Sequence, residues 1–321
     1  MLNKMYPTCY KDFMKLCKNN NNFFLYYKKL GEPRPFDVSL RDGLQSIQVD
    51  KTNPNKTYDL IKKQKLYNSI YTTHYPKNIE VGSIVSASVL PILADSLQLF
   101  EHVEDYIKYS QETELHPNNY LLIPNSKKLE SIIKHPLITN LSLITSVSDR
   151  FQQKNTRKTL EETRLDIHNM ICMLNAEKPN NYKIKLYISC ISQCPIAGKL
   201  DNDYIVHEIL KYSNLNIDSF CLSDTCGTLE LEDFEYIVDT CNFFGVPFSK
   251  MALHLHVKPE RRQIVKEIIH IALSKNIIHF DVSILETGGC SVTMNKSLLA
   301  PNLSYNLYYE SLVDYIEKKI N

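Results

Sequence analysis

Three short stretches bring together residue types able to do chemistry. The sharpest is His254-Leu255-His256. Two residues apart on an extended chain, the imidazoles share one face with Cα atoms about 6.6 Å apart, close enough for both to hold one metal ion at about 2.1 Å. Arg41-Asp42 adds a guanidinium and a carboxylate directly after the alternating run FDVSL, and Cys290 follows Gly288-Gly289. Two imidazoles, a carboxylate and open positions suit a divalent ion such as Mg²⁺ or Mn²⁺ that chelates an oxygen-rich substrate, with Zn²⁺ as the alternative. A cysteine behind two glycines sits on a loop able to close over a site and deliver a proton. Each stretch also has a plain reading: two unrelated polar histidines, a surface ion pair, a packed thiol. Asp37, Glu80 and Asp224 fall in or at the ends of apolar runs, where they could orient ligands, relay protons or serve as structural hydrogen-bond partners.

Those residues need elements to position them. Short β-rich runs recur at FDVSL (36), NIEVGS (78), YLLIP (120), NLSLITSV (140), KIKLYISC (183), DSFCLSD (218), MALHLHV (251) and IIHFDVS (277). Segments with helical periodicity lie between them, among them TYDLIKKQKLYNSI, TLEETRLDIHNMICML and RRQIVKEIIHIALSK, and ESLVDYIEKKI closes the chain. Eight alternating units predict an α/β fold of the (β/α)8 TIM-barrel type rather than an open doubly wound sheet, and no G-x-G-x-x-G follows the first run. Six of the eight glycines fall at or just past strand ends, the face on which barrels build active sites. Strand alternation then predicts that Asp37, Ser39 and Arg41 face the barrel axis while Phe36, Val38 and Leu40 face the helices. The same alternation turns His254 and His256 inward, and His279, Asp281 and Ser283 with them.

Composition sets the outer bounds. The 321 residues are 43% hydrophobic and 23% charged with a net charge of +1, which gives no hint of a nucleic-acid or membrane surface, so neither partner is expected. No apolar run approaches the roughly 18 residues that span a bilayer. Nine cysteines without zinc-ribbon spacing point to a reducing compartment. Residues 1–35 carry KNNNN, several lysines and the linker-like GEPRP, so the reading is an N-terminal extension (1–35) followed by a barrel domain (36–321). With no arginine before Arg34 and an acidic Asp12, the extension is expected to be cytoplasmic rather than a mitochondrial presequence.

Six blocks in order carry a resemblance. RDGLQ at 41–45, IEVGSIVS on the second strand, YISCISQCPIAGK on the fifth, SDTCGT on the sixth, HLH on the seventh and GGC after the eighth resemble the 3-hydroxy-3-methylglutaryl-CoA lyases of the DRE-TIM metallolyase superfamily, from about Asp37 to Asn302. The resemblance implies a metal held by Asp42, His254, His256 and Asn302, the last taken from PNLS. It implies that Arg41 stabilises enolate charge, that Cys290 is the acid on a mobile loop, and that Asp37, Glu80 and Asp224 are supporting carboxylates. The implied substrate is an acyl-CoA, and a homodimer is compatible with it. The alternatives are a Claisen-type synthase of the same superfamily, joining an acyl-CoA to a 2-oxo acid, and a catalytically silent barrel kept as a binding protein. The short stretch after Asn302 favours the lyase over the synthase.

Overall fold

The computed structural model describes residues 5–47, 58–109, 115–179, 181–295 and 299–321. Eight parallel strands close into a barrel: β1 (Phe36–Asp37), β2 (Asn78–Ser83), β3 (Asn118–Leu122), β4 (Asn140–Ser146), β5 (Lys183–Ser189), β6 (Ser219–Asp224), β7 (Met251–Leu255) and β8 (His279–Val282). Each pairs with the next in sequence, and β1 closes on β8 with Phe36 opposite Asp281. The eight expected runs are the eight strands, and the architecture is the (β/α)8 barrel. Leu122, Tyr187, Cys221 and Ala252 meet inside it, and the larger apolar core lies between strands and helices.

The helices end and begin where local chemistry dictates. The helix Leu160–Glu177 starts at a reciprocal cap in which the Thr159 hydroxyl accepts from the Glu162 N–H and the Glu162 carboxylate accepts from the Thr159 N–H. After β5 the chain makes a small antiparallel hairpin, Gln193–Cys194 with Gly198–Lys199, that strand-and-helix alternation did not anticipate. Among the described residues no helix is long and apolar enough to cross a membrane.

Ordered structure begins well before Phe36. Helices α1 (Tyr10–Asn19) and α2 (Asn21–Lys29) bury Phe13, Cys17, Phe23 and Tyr27 in the main core. Phe13 stacks on Tyr309 of the C-terminal helix, Tyr305–Ile320, with ring centroids 5.4 Å apart. The asparagine run forms the corner between the two helices, where the Asn20 side chain accepts from the Phe23 N–H. Phe13→Ala is therefore expected to cost about 3–5 kcal/mol of stability, the usual range for deleting a buried ring. Urea unfolding measures it, and a change within error of zero would mean that α1 contributes nothing to the folded body.

The first strand corrects the predicted alternation. Phe36 points into the barrel, its ring under the Lys185 ammonium (3.4 Å) and beside Tyr120 (5.0 Å). Asp37 points out, accepting from the Tyr305 hydroxyl of the C-terminal helix at 2.9 Å. The ring fills the lower barrel, and the carboxylate takes its hydrogen bonds from the helix layer. The strand stops at Asp37, and Ser39–Gly43 form a wide helical turn in which the Gly43 N–H donates to Val38 O, five residues back, at 3.0 Å. Arg41 reaches the barrel mouth through this turn and not by strand parity. Turns of this kind recur at functional sites.

Candidate active site

The wide turn after β1 and the end of β7 place Asp42, His254 and His256 together, their donor atoms all within 4.8 Å of one another and all three residues buried. His254 is inward by the parity of β7, and His256 lies one pleat further on. The two Nε2 atoms are 3.2 Å apart, and His254 Nε2 is 3.9 Å from Asp42 Oδ2. Each imidazole has its other nitrogen against a group that only accepts: His254 Nδ1 against Asp281 Oδ2 (3.1 Å) and His256 Nδ1 against Ala300 O (2.9 Å). Those partners put the protons on Nδ1, so in the neutral rings both Nε2 lone pairs converge on one point. A cation between them relieves that repulsion.

Asn302 arrives from far along the chain. The segment 301–303 lies between the ends of β7 and β8, with Val257 N–H donating to Pro301 O and Leu303 N–H to Leu255 O. Asn302 thus bridges to His256. Its Nδ2 donates to Thr287 O at 3.1 Å, and its Oδ1 is buried with no hydrogen-bond partner. A buried amide oxygen left unpaired costs about 1–3 kcal/mol unless something else takes it up. The carboxylate of Asp42 and the two imidazoles form a donor set that fits a divalent ion preferring O and N ligands.

Arg41 lies next to that set. Its guanidinium bonds Asp42 Oδ1 (2.7 Å) and Glu80 Oε2 (2.5 Å) and sits over the Tyr187 ring, whose hydroxyl donates to Glu80 (3.2 Å). Burial alone would push the Asp42 carboxyl up, but Arg41 and the Gly289 N–H (3.1 Å) hold it well below the usual carboxylate range. Burial, and then the neighbouring His254, push His256 down to about 4, so at neutral pH its ring is a neutral donor.

Cys290 faces the same cavity, its Sγ 3.4 Å from Asn155 Oδ1, and burial raises its thiol above the ordinary value. Its loop is tied to the turn after β1, since Thr287 Oγ1 donates to Gly43 O (2.7 Å). The opening is two-sided. Asp42, His254, His256, Ser189, Ser223 and Thr225 line one half, and Val85, Leu90, Leu93, Leu122, Ile144 and Phe151 line the other, over β2 to β4.

Two predicted carboxylates stand outside. Asp37 accepts from the Ser39 N–H (2.8 Å), Ser39 hydroxyl (3.0 Å) and Tyr305, and burial lifts its carboxyl to about 7. It shapes the turn that carries Arg41. Asp224 accepts from the N–H groups of Thr228 and Leu229, both at 3.0 Å, and so holds the loop after β6. Tyr187, Asp281 and Lys185 complete the site's underside; alternation had turned Asp281 towards the axis, but none of the three was predicted as a site residue. The alternation Lys185, Tyr187, Ser189 along β5 was the available signal.

Comparison with known proteins places this geometry. No family model matches the chain. It is 23% identical over 259 residues to the 3-hydroxy-3-isohexenylglutaryl-CoA/hydroxymethylglutaryl-CoA lyase of Pseudomonas aeruginosa, covering 80% of this chain and 78% of that protein. Over 287 residues it is 23% identical to the human mitochondrial hydroxymethylglutaryl-CoA lyase, covering 88% and 77%. The chain is similar to hydroxymethylglutaryl-CoA lyases along most of its length. The lyase-like barrel superposes on the lyase of Brucella melitensis with a TM-score of 0.70 at 20% identity, covering 89% of this chain and 90% of that one. A lyase from Acinetobacter baumannii, solved with coenzyme A and 3-methylmalate, gives the same score. The carboxyl transferase domain of Rhizobium etli pyruvate carboxylase also shares the barrel, at a TM-score of 0.51. The fold by itself therefore does not fix the reaction.

Proposed function

We propose that this lyase-like enzyme cleaves a carbon–carbon bond in a 3-hydroxyacyl-CoA, converting 3-hydroxy-3-methylglutaryl-CoA to acetoacetate and acetyl-CoA with a divalent metal ion, Mg²⁺ or Mn²⁺. The observation that carries the reading is the convergence of the two Nε2 atoms beside Asp42, all three residues being buried. Asp42, His254, His256 and Asn302 are assigned as the ligands. When bound there, the ion supplies positive charge that gathers the hydroxyl and carboxylate oxygens of the substrate and makes the hydroxyl easier to deprotonate.

The protein's own groups do the rest. As a nearby base takes the hydroxyl proton, the bond to the carbon beside the thioester breaks, giving a keto acid and a thioester enolate. Arg41 stands at the mouth with its charge fixed by Asp42 and Glu80, so it neutralises the developing oxyanion without reorganising. Cys290, kept protonated by burial, gives its proton to the enolate carbon. Glu80 orients Arg41, while Asp37 and Asp224 hold the backbone around the site. The apolar half of the opening takes the hydrocarbon parts of the acyl-CoA.

The test has two parts. Metal analysis should find one divalent ion per chain under saturating Mn²⁺, and replacing His254 and His256 by Ala should abolish it. Wild-type protein that takes up no ion would remove the site. The metal-loaded protein should release acetyl-CoA from 3-hydroxy-3-methylglutaryl-CoA, whereas a silent barrel would turn over no 3-hydroxyacyl thioester, and a synthase would instead consume acetyl-CoA with a 2-oxo acid.

A further inference from the structure

Beneath the two histidines lies a buried cation. Lys185, on β5, has a side chain only 3% exposed, and its ammonium points into the barrel 2.5 Å from Asp281 Oδ1. The rings of Phe36 (3.4 Å) and Tyr187 (4.5 Å) wall the ammonium off from other anions, so Asp281 is its one ion-pair partner among the described residues. The second oxygen of Asp281 is the acceptor for His254 Nδ1. Tyr187 in turn bonds Glu80 and lies under Arg41. The Lys185 ammonium therefore touches both halves of the site from below, on the side away from the opening that Asp42, His254 and His256 line.

A buried ion pair is a poor source of stability, because stripping water from both charges costs about what their attraction returns. What it does supply is direction. With Oδ1 held by Lys185, the carboxylate plane of Asp281 is fixed and Oδ2 faces His254 Nδ1. That bond sets the His254 tautomer and aims Nε2 at Asp42 and His256. Without Lys185, Oδ1 of Asp281 loses its partner, and only the weak Cys221 thiol contact (3.6 Å, on Oδ2) remains beside His254 to hold the carboxylate.

We propose that Lys185 is a positioning residue for the cation site, acting through Asp281 to fix His254 and so setting the affinity for the metal. The proposal rests on the reading of Asp42, His254 and His256 as ligands. Mn²⁺ titration followed by electron paramagnetic resonance of the free ion tests it without any assay of turnover. Lys185→Met should weaken Mn²⁺ binding by about 10–100-fold, the usual effect of losing a partner behind a metal ligand, and Lys185→Arg should restore most of it. Because Lys185 acts through Asp281, the double variant Lys185→Met/Asp281→Asn should bind no more weakly than Asp281→Asn alone. Folded Lys185→Met with wild-type affinity, or losses that multiply in the double variant, would overturn the role while leaving the metal site intact. Wild type that binds no Mn²⁺ would overturn both. Should Lys185→Met fail to fold, nitrogen-15 spectra of the wild-type histidines decide: His254 must be protonated on Nδ1, and a ring protonated mainly on Nε2 contradicts the proposal.

Discussion

Arg41→Met is expected to keep the barrel and lose most of its turnover, by about 10²–10³-fold, the range seen when one preorganised donor to a developing oxyanion is removed. The geometry accounts for both halves of that expectation. Arg41 is buried, bonded to Asp42 and Glu80 at 2.7 and 2.5 Å, and stacked over Tyr187, so its charge is in place before the enolate forms. The same contacts make the substitution costly for stability. Two buried carboxylates lose their counter-charge, and breaking a buried pair by removing one partner typically costs about 3–5 kcal/mol. Arg41→Lys therefore accompanies it, since it keeps the charge but cannot fork between two carboxylates. Lysine should recover stability better than turnover. Steady-state rates at saturating metal, on protein whose circular dichroism matches wild type, give the answer. Near-wild-type turnover in folded Arg41→Met would reduce Arg41 to a clamp on Asp42 and Glu80.

Much of the fold was legible because barrel strands are short, β-rich and separated by helical periods, and all eight runs became strands. The histidine pair was legible for a related reason: the two-residue period of an inward-facing strand puts His254 and His256 on one side whatever the details of the loops. Arg41 was placed correctly for the wrong reason. Alternation through FDVSLRD assumed a strand of seven residues, whereas the strand ends at Asp37 and a wide turn redirects Ser39 to Gly43. Asn302 could come only from the resemblance, since its place depends on the segment 301–303 crossing between β7 and β8, a contact no local pattern encodes. The N-terminal helices were hidden by KNNNN, although Phe13 with Cys17 and Phe23 with Tyr27 repeat at the four-residue spacing of buried helix faces. Lys185 was the hardest to see, because a lysine in a β-run reads as a surface residue until an acid is found opposite it.

Cys290→Ala separates an active lyase from a barrel that only binds. Cys290 lines the cavity on a loop joined to the turn after β1, while the metal donors lie on other elements, so the substitution should leave Mn²⁺ affinity and substrate binding close to wild type. Turnover should fall by roughly 10²- to 10⁴-fold, the range for a positioned proton donor. The thiol's environment adds a second signature. Burial raises its pKa above the ordinary thiol value, so the protonated acid persists across neutral pH and the wild-type rate should decline only on the alkaline side, beyond the ordinary thiol range. In Cys290→Ala the residual rate should lack that alkaline limb, because no thiol remains to lose its proton. Single-turnover rates of both proteins at matched metal occupancy, measured from about pH 6 to about pH 10 to bracket the thiol's ordinary value, read both effects. Equal and measurable rates would leave a lyase whose enolate takes its proton from water, and would remove Cys290 from the mechanism. No turnover in either protein, with ligand affinity unchanged, would instead identify a silent barrel.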